Sequence, residues 1–183
     1  MNIDQKVFGI GFHKTGTKSL KKALEILGYS VTGPNAVQEI DSKKKLYEVI
    51  DSFLPQYNAF QDNPWPLVYK YVDNLYPDAK FILTIRDDSM WIQSVVKYFK
   101  NKTTPMRKYI YGYGSPLGNE DIYLQCYKKH NQEVINYFKD KNNKLLVIDI
   151  TKENAWEQIC LFLNKPKPIL PFPHLNKNRN KIL

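Results

Sequence analysis

Residues 6–27 read KVFGIGFHKTGTKSLKKALEIL: an apolar run, a glycine-bearing turn, then apolar positions at helical spacing. A strand that passes through such a turn into a helix does not form a hairpin. It begins a βα unit, and repeated units build a parallel sheet. The pattern predicts a strand over 6–12 and a helix over 17–27, stopped at Gly28, a residue suited to the left-handed conformation. A helix that opens on a glycine turn is also an anion cradle, because its first N–H groups have no intrahelical acceptor. The Walker A pattern, G-x-x-x-x-G-K-[ST], does not fit. Gly11 and Gly16 have its separation, but Thr17 stands where its lysine belongs and Lys14 lies inside the loop.

The rest of the chain repeats the alternation. A short strand is expected at 29–32, a helix over 35–54 with Asn35 as N-cap, a strand at 58–62 and a helix at 64–76 with proline in its first turn. The run KFILTIR at 80–86 is continuously apolar, as in a strand buried on both faces of a parallel sheet, and DSMWIQSVVKYFKN continues it as a helix. Residues 103–118 hold two prolines and three glycines and read as a long loop. A helix at 119–141, a strand at 144–150 and a helix at 153–164 complete the series. The segment 165–183 carries four prolines and reads as an extended surface tail. The expected fold class is α/β: one three-layer domain over 1–183, with a mostly parallel central sheet flanked by helices.

Composition narrows the function less than the pattern does. No run approaches the roughly 18 apolar residues of a membrane span, and the first residues lack the basic-then-apolar layout of a signal peptide, so a cytoplasmic protein with no membrane partner is expected. Cys126 and Cys160 have no C-x-x-C spacing and read as small buried apolar residues, and His13, His130 and His174 form no ligand set, so no metal site is expected. The net charge of +9 has two readings, a lysine-rich solvated surface or the attraction of an acidic ligand. Nucleic acid is the weaker form of the second, since no helix-turn-helix, zinc-finger or RNP pattern is present.

Open parallel sheets place ligands at the carboxyl ends of their strands. There stand His13-Lys14-Thr15-Gly16-Thr17 after the first strand, Asp62 after AFQ, Arg86 after FILTI and Asp149 in LLVID. Backbone N–H groups at 15–19, the Lys14 charge and the Thr17 and Ser19 hydroxyls suit a tetrahedral anion. The 27 basic residues include three arginines, Arg86, Arg107 and Arg179. An arginine at the end of a buried strand fits bidentate binding of a phosphate, with a salt bridge to Asp87 or Asp88 as the plain alternative. Ser94, eight residues on, falls near the second turn of the next helix, where it can join Arg86 at a second anion.

Three segments together resemble the sulfotransferase superfamily that uses 3′-phosphoadenosine 5′-phosphosulfate (PAPS). GFHKTGTKSLKKALEILGY is similar to its 5′-phosphosulfate loop, YPDAKFILTIRDDSMWIQSV to its 3′-phosphate motif, and WEQICLFLNKPKPILPFPHLNKNR to the closing segment of its short branch. The resemblance implies a P-loop NTPase-like sulfotransferase fold and metal-free sulfuryl transfer. It also implies that Lys14, Thr15, Gly16, Thr17, Lys18 and Ser19 contact the 5′ side, that Arg86 and Ser94 hold the 3′-phosphate, and that Lys177 and Arg179 close over the nucleotide.

The general base does not carry over. Short relatives place a histidine after the second strand, where this chain reads SVTGPNAVQEI. Asp62 is the expected replacement, though it also suits a helix N-cap, and His13 is the alternative. The acceptor, a small molecule or carbohydrate bearing a hydroxyl or amine, is not encoded in any motif; Tyr109, Tyr111 and Tyr113 offer rings for a lid or simply pack on the domain. Two rival functions stand beside transfer: a P-loop kinase using ATP-Mg, with Asp149 as magnesium ligand, and a non-catalytic polyanion-binding module.

Overall fold

The structure, a computed structural model, describes residues 5–175. Five strands form one sheet in the order β2-β3-β1-β4-β5: β1 (Val7–Gly9), β2 (Val31–Thr32), β3 (Ala59–Gln61), β4 (Lys80–Thr84) and β5 (Leu145–Ile148). All four pairings are parallel. Phe8 on the central strand is in register with Phe60 on one side and Phe81 on the other, and these rings stack. Alternation sends Phe8, Phe60 and Phe81 to one face and Val7, Ala59 and Ile82 to the opposite face, and both faces are buried.

Seven α-helices cover the sheet among the described residues. On the Val7 face lie α1 (Thr17–Ile26) and α7 (Ala155–Phe162), through Leu20, Leu24, Ala155 and Ile159. On the Phe8 face lie α2 (Lys43–Phe53), α3 (Tyr69–Leu75) and α6 (Glu120–Phe138), through Leu46, Ile50, Val72 and Val134. A third cluster sits beyond the carboxyl ends of the strands. There α4 (Asp88–Phe99), α5 (Pro105–Tyr111) and α6 join Phe12, Trp91, Tyr111, Tyr123 and Tyr127. The chain leaves β1 toward β2 and leaves β4 toward β5, so connections diverge between β1 and β4. A crevice opens at such a switch point.

The fold class is the expected one; several boundaries are not. The helix expected over 35–54 is only α2, capped by Ser42, whose side chain accepts Lys45 N–H. Asn35 is no N-cap. Its amide donates to Thr32 Oγ1 at 2.8 Å and accepts Trp65 Nε1–H at 2.9 Å, and Ala36 at φ 48 breaks a helical start. Residues 64–76 divide into a 3-10 turn at Trp65–Leu67 and α3. The loop expected over 103–118 contains α5, with Thr104 as N-cap, Pro105 at its first position and Gly112 at φ 78 as its stop. The buried Arg107 ties both flanks of this helix, donating to Gly114 O at 2.9 Å and to Lys102 O at 2.5 Å. The segment 165–175 is extended, but it is not simply laid on the surface. Trp156 Nε1–H holds Leu170 O at 2.9 Å, Phe172 packs edge-on against Trp156, and the chain returns to α1 at Leu175.

One glycine fixes the approach of β1 to β4. A Cβ on Gly11 would lie 2.1 Å from Thr84 Oγ1 and 2.3 Å from Thr84 O. The Thr84 backbone belongs to the sheet and cannot yield without parting two strands. Gly11→Ala is therefore expected to lose at least about 2 kcal/mol, read as a lower urea midpoint at constant m-value. An unchanged midpoint would show that the strands separate freely there.

Candidate active site

Two residues in the left-handed region, Lys14 at φ 68 and Gly16 at φ 97, curl the backbone between β1 and α1. Gly16 is the N-cap of α1 and supplies no side-chain cap, so the first-turn N–H groups face the loop concavity without intrahelical acceptors. The absence of a Cβ there matters doubly, since one would lie 2.2 Å from Ile150 Cγ2. The loop is braced from below. Thr15 Oγ1 donates to Phe12 O at 2.6 Å, and with that proton committed it accepts from Thr84 Oγ1, also at 2.6 Å. His130 Nε2–H donates to Ile10 O at 2.8 Å, and its ring stacks on Phe12. Ser19 is buried, and its Oγ accepts Leu175 N–H at 2.9 Å.

Arg86 stands at the adjacent strand end, just past β4. Tyr127 clamps its backbone both ways, accepting Arg86 N–H at 2.8 Å and donating to Arg86 O at 2.9 Å. One guanidinium N–H reaches Lys14 O at 3.5 Å, which joins the two strand ends. The Nε is buried without a hydrogen-bond partner. No salt bridge to Asp87 or Asp88 forms. Asp87 caps α4 through Ser89 Oγ and Met90 N–H, and Asp88 pairs with Lys128 at 3.5 Å. Ser94 lies half-buried in the second turn of α4, and its hydroxyl has no hydrogen bond among the described residues.

Asp62 follows β3 in the left-handed region, at φ 62. Its Oδ2 accepts Thr17 Oγ1–H at 2.7 Å and its Oδ1 accepts Asn63 N–H at 2.7 Å. Burial pushes its carboxyl above the usual aspartate range; those two hydrogen bonds and the charges of Lys14 and Lys18 oppose the rise without cancelling it. His13 is 5% exposed, caged by Trp91, Phe99 and Tyr111. Its ring nitrogens lie 3.3 Å from Asn63 Nδ2 and 3.3 Å from Tyr111 OH. Burial, then Arg107 and Lys14, depress its pKa to about 3, so the imidazole is neutral at physiological pH.

The Lys14 amine lies over the Tyr98 ring, 3.9 Å from its centroid. Burial, then Lys18 and Arg86, lower its pKa, and Asp62 partly restores it. Lys14 thus has two cationic neighbours, Lys18 and Arg86, beside the Asp62 carboxylate, an arrangement that a bound anion relieves. Asp149 follows the edge strand β5, and its Oδ1 accepts the N–H and hydroxyl of Thr151. Lys177 and Arg179 lie outside the described residues. Among those residues no three His, Cys, Asp or Glu side chains converge, and no helix is long and apolar enough to cross a membrane.

A family model described as a sulfotransferase domain matches residues 6–119 and 102–181. The chain belongs to that family. A comparison with curated proteins gave no match. In this sulfotransferase domain the loop 14–19, Arg86 and Asp62 converge on the carboxyl end of the central strands, as their positions at strand ends require. Three supporting residues went unread in the sequence. Thr84 carried a signal, a polar side chain inside the apolar run FILTI. Tyr127 and Tyr98 carried none, because a tyrosine in a helical pattern reads as ordinary packing.

Proposed function

We propose that this sulfotransferase domain moves a sulfuryl group from PAPS to a hydroxyl or amine of a small-molecule or carbohydrate acceptor, without a metal. The observation that carries the reading is the meeting of two donor-bearing strand ends, linked through the Arg86–Lys14 contact, with the Arg86 Nε buried and unpartnered. A donor with a 5′-phosphosulfate and a separate 3′-phosphate suits two such positions.

The N–H groups opening α1 hold the 5′ side, aided by the positive end of the helix. Thr15 contributes backbone alone, since its hydroxyl is committed to Phe12 O. Arg86 supplies a planar fork to the 3′-phosphate, and Ser94 a hydroxyl. The donor supplies a sulfur whose bridging S–O bond breaks as the bond to the acceptor oxygen or nitrogen forms. Lys14 stabilises the negative charge on the departing oxygen. Asp62 takes the acceptor proton, and its raised pKa makes it a stronger base than an exposed aspartate. His13, neutral and caged, holds the loop. The kinase alternative is poorly served by these residues. Lys18, exposed and cationic, occupies the place of the magnesium-binding hydroxyl in the Walker pattern, and Asp149 is engaged in its own turn.

Thermal-shift titration with adenosine 3′,5′-bisphosphate, AMP and ATP-Mg tests the reading. The bisphosphate is expected to stabilise most, with no need for magnesium; equal shifts from AMP and the bisphosphate would refute it. Arg86→Lys refines it. The substitution keeps charge and removes the fork, so the bisphosphate should weaken by about 1.5–3 kcal/mol, the scale of a charged hydrogen bond. Adenosine 5′-phosphosulfate, which has no 3′-phosphate, should be nearly unaffected. Calorimetry showing parallel losses would assign Arg86 to the general field instead.

A further inference from the structure

The proposed roles of Lys14 and Asp62 set a problem for each other. An amine and a carboxylate in one site attract, and a direct ion pair would engage both the charge that Lys14 carries and the lone pairs that Asp62 needs. The two are near enough for each to influence the other's ionisation. Yet no ion pair joins them among the described residues. Asp62 is turned to Thr17 and Asn63, while the Lys14 amine rests on the Tyr98 ring face.

Tyr98 has little packing reason to be aromatic. It is 58% exposed in the last turn of α4, four residues past Ser94 and so on the same helical face. Its ring is fixed from beneath. Phe99 meets it edge-on at 4.9 Å, and Phe99 is itself held by the His13 ring at 5.0 Å and the Arg107 guanidinium at 4.2 Å.

We propose that Tyr98 is a positioning residue, whose ring face holds the Lys14 amine and keeps it from closing an ion pair with Asp62. The inference rests on the roles given above to Lys14 and Asp62. A cation over an exposed ring is held loosely, so an anion arriving in the loop draws the amine off, whereas a buried ion pair would not release it so readily. The surrounding charges reinforce the choice. Lys18 from α1 and Arg86 from beyond β4 repel Lys14, and among the described residues Asp62 is the carboxylate that draws it. Asp62 in turn faces Lys14 and Lys18, with the Tyr111 hydroxyl of α5 in electrostatic reach. Removing the ring therefore leaves Asp62 as the partner to which Lys14 falls.

The titration of the Asp62 carboxyl carbon, followed by NMR, reads this pairing without donor or acceptor. Tyr98→Leu removes the ring face and keeps bulk and helix propensity; Tyr98→Phe keeps the ring. In Tyr98→Leu the Asp62 midpoint is expected to fall by on the order of one pH unit, as for a carboxylate gaining a cation. Tyr98→Phe should hold the wild-type midpoint, and in a Lys14→Ala background Tyr98→Leu should produce no fall. Tyr98→Gln, which also lacks the ring, gives the same reading should the leucine variant be unstable. An unmoved midpoint in the ringless variants, or an equal fall without the lysine, overturns the proposal. Absence of bisphosphate binding by the wild type would refute sulfuryl transfer and leave this titration intact, so the two failures are distinguishable.

Discussion

Asp62→Asn is expected to lower turnover by about 10² to 10⁴, the range of a lost general base, while affinity for adenosine 3′,5′-bisphosphate stays close to wild type. The amide has the shape of the carboxylate, and its oxygen can still accept the Thr17 hydroxyl, so the loop keeps that contact. What disappears is the capacity to take a proton, together with the acceptor for Asn63 N–H. In the wild type, activity should rise with pH as Asp62 ionises, with the acid limb above the ordinary aspartate value of about 3.9 because burial raises this carboxyl. The sign for stability is opposite. A group whose folded pKa is raised stabilises the fold while protonated, so its contribution is present below the unfolded value and is lost as pH rises through the folded one. In its proposed role, the Asp62 base becomes competent in the pH range where the fold gives up stability. A wild-type acid limb near 3, together with an active Asp62→Asn enzyme, would transfer the role to His13, whose imidazole titrates at about that value.

Lys14→Ala should reduce turnover by on the order of 10²-fold or more, the scale of a removed donor to a developing negative charge. Binding of the bisphosphate product should fall far less, because stabilisation confined to the transition state accelerates chemistry without tightening the ground state. In its proposed role Lys14 must be charged, and burial with two neighbouring cations lowers its pKa. The wild-type rate should accordingly decline as pH rises through a value below the usual lysine range. Lys14→Arg removes that basic limb, because a guanidinium does not deprotonate. Kinetics showing only a raised KM in Lys14→Ala would make the residue a uniform binder.

The parallel sheet was legible because periodicity and apolar runs report burial directly. KFILTIR could only be a strand covered on both faces, and β4 is one. Placement at strand ends also carried Asp62 and Arg86 to the loop, since in a parallel sheet all carboxyl ends lie on one side. What the sequence withheld depends on which partner a polar side chain takes. Asn35 reads as an N-cap by type, but Thr32 and Trp65 use both ends of its amide. Residues 103–118 read as loop from their glycines and prolines, although Thr104, Pro105 and Gly112 are also start and stop signals of α5. Arg107 bonds to carbonyls on both sides of that helix, contacts that no local pattern announces. For Asp62, sequence gave a position; its two hydrogen bonds and its burial came only with the assembled tertiary structure.

The bond from Leu175 N–H to Ser19 Oγ spans 156 residues. On a ribosome adding roughly 5–20 residues per second, that separation amounts to about eight to thirty seconds. Late in that interval the loop, the central strand and the rest of the sheet have been made, while the partner of Ser19 is still unsynthesised. A nascent chain can therefore assemble the cradle early but completes the Ser19 contact late. Folding intermediates captured on stalled ribosomes before and after residue 175 should differ first at α1, in the protection of its opening turn.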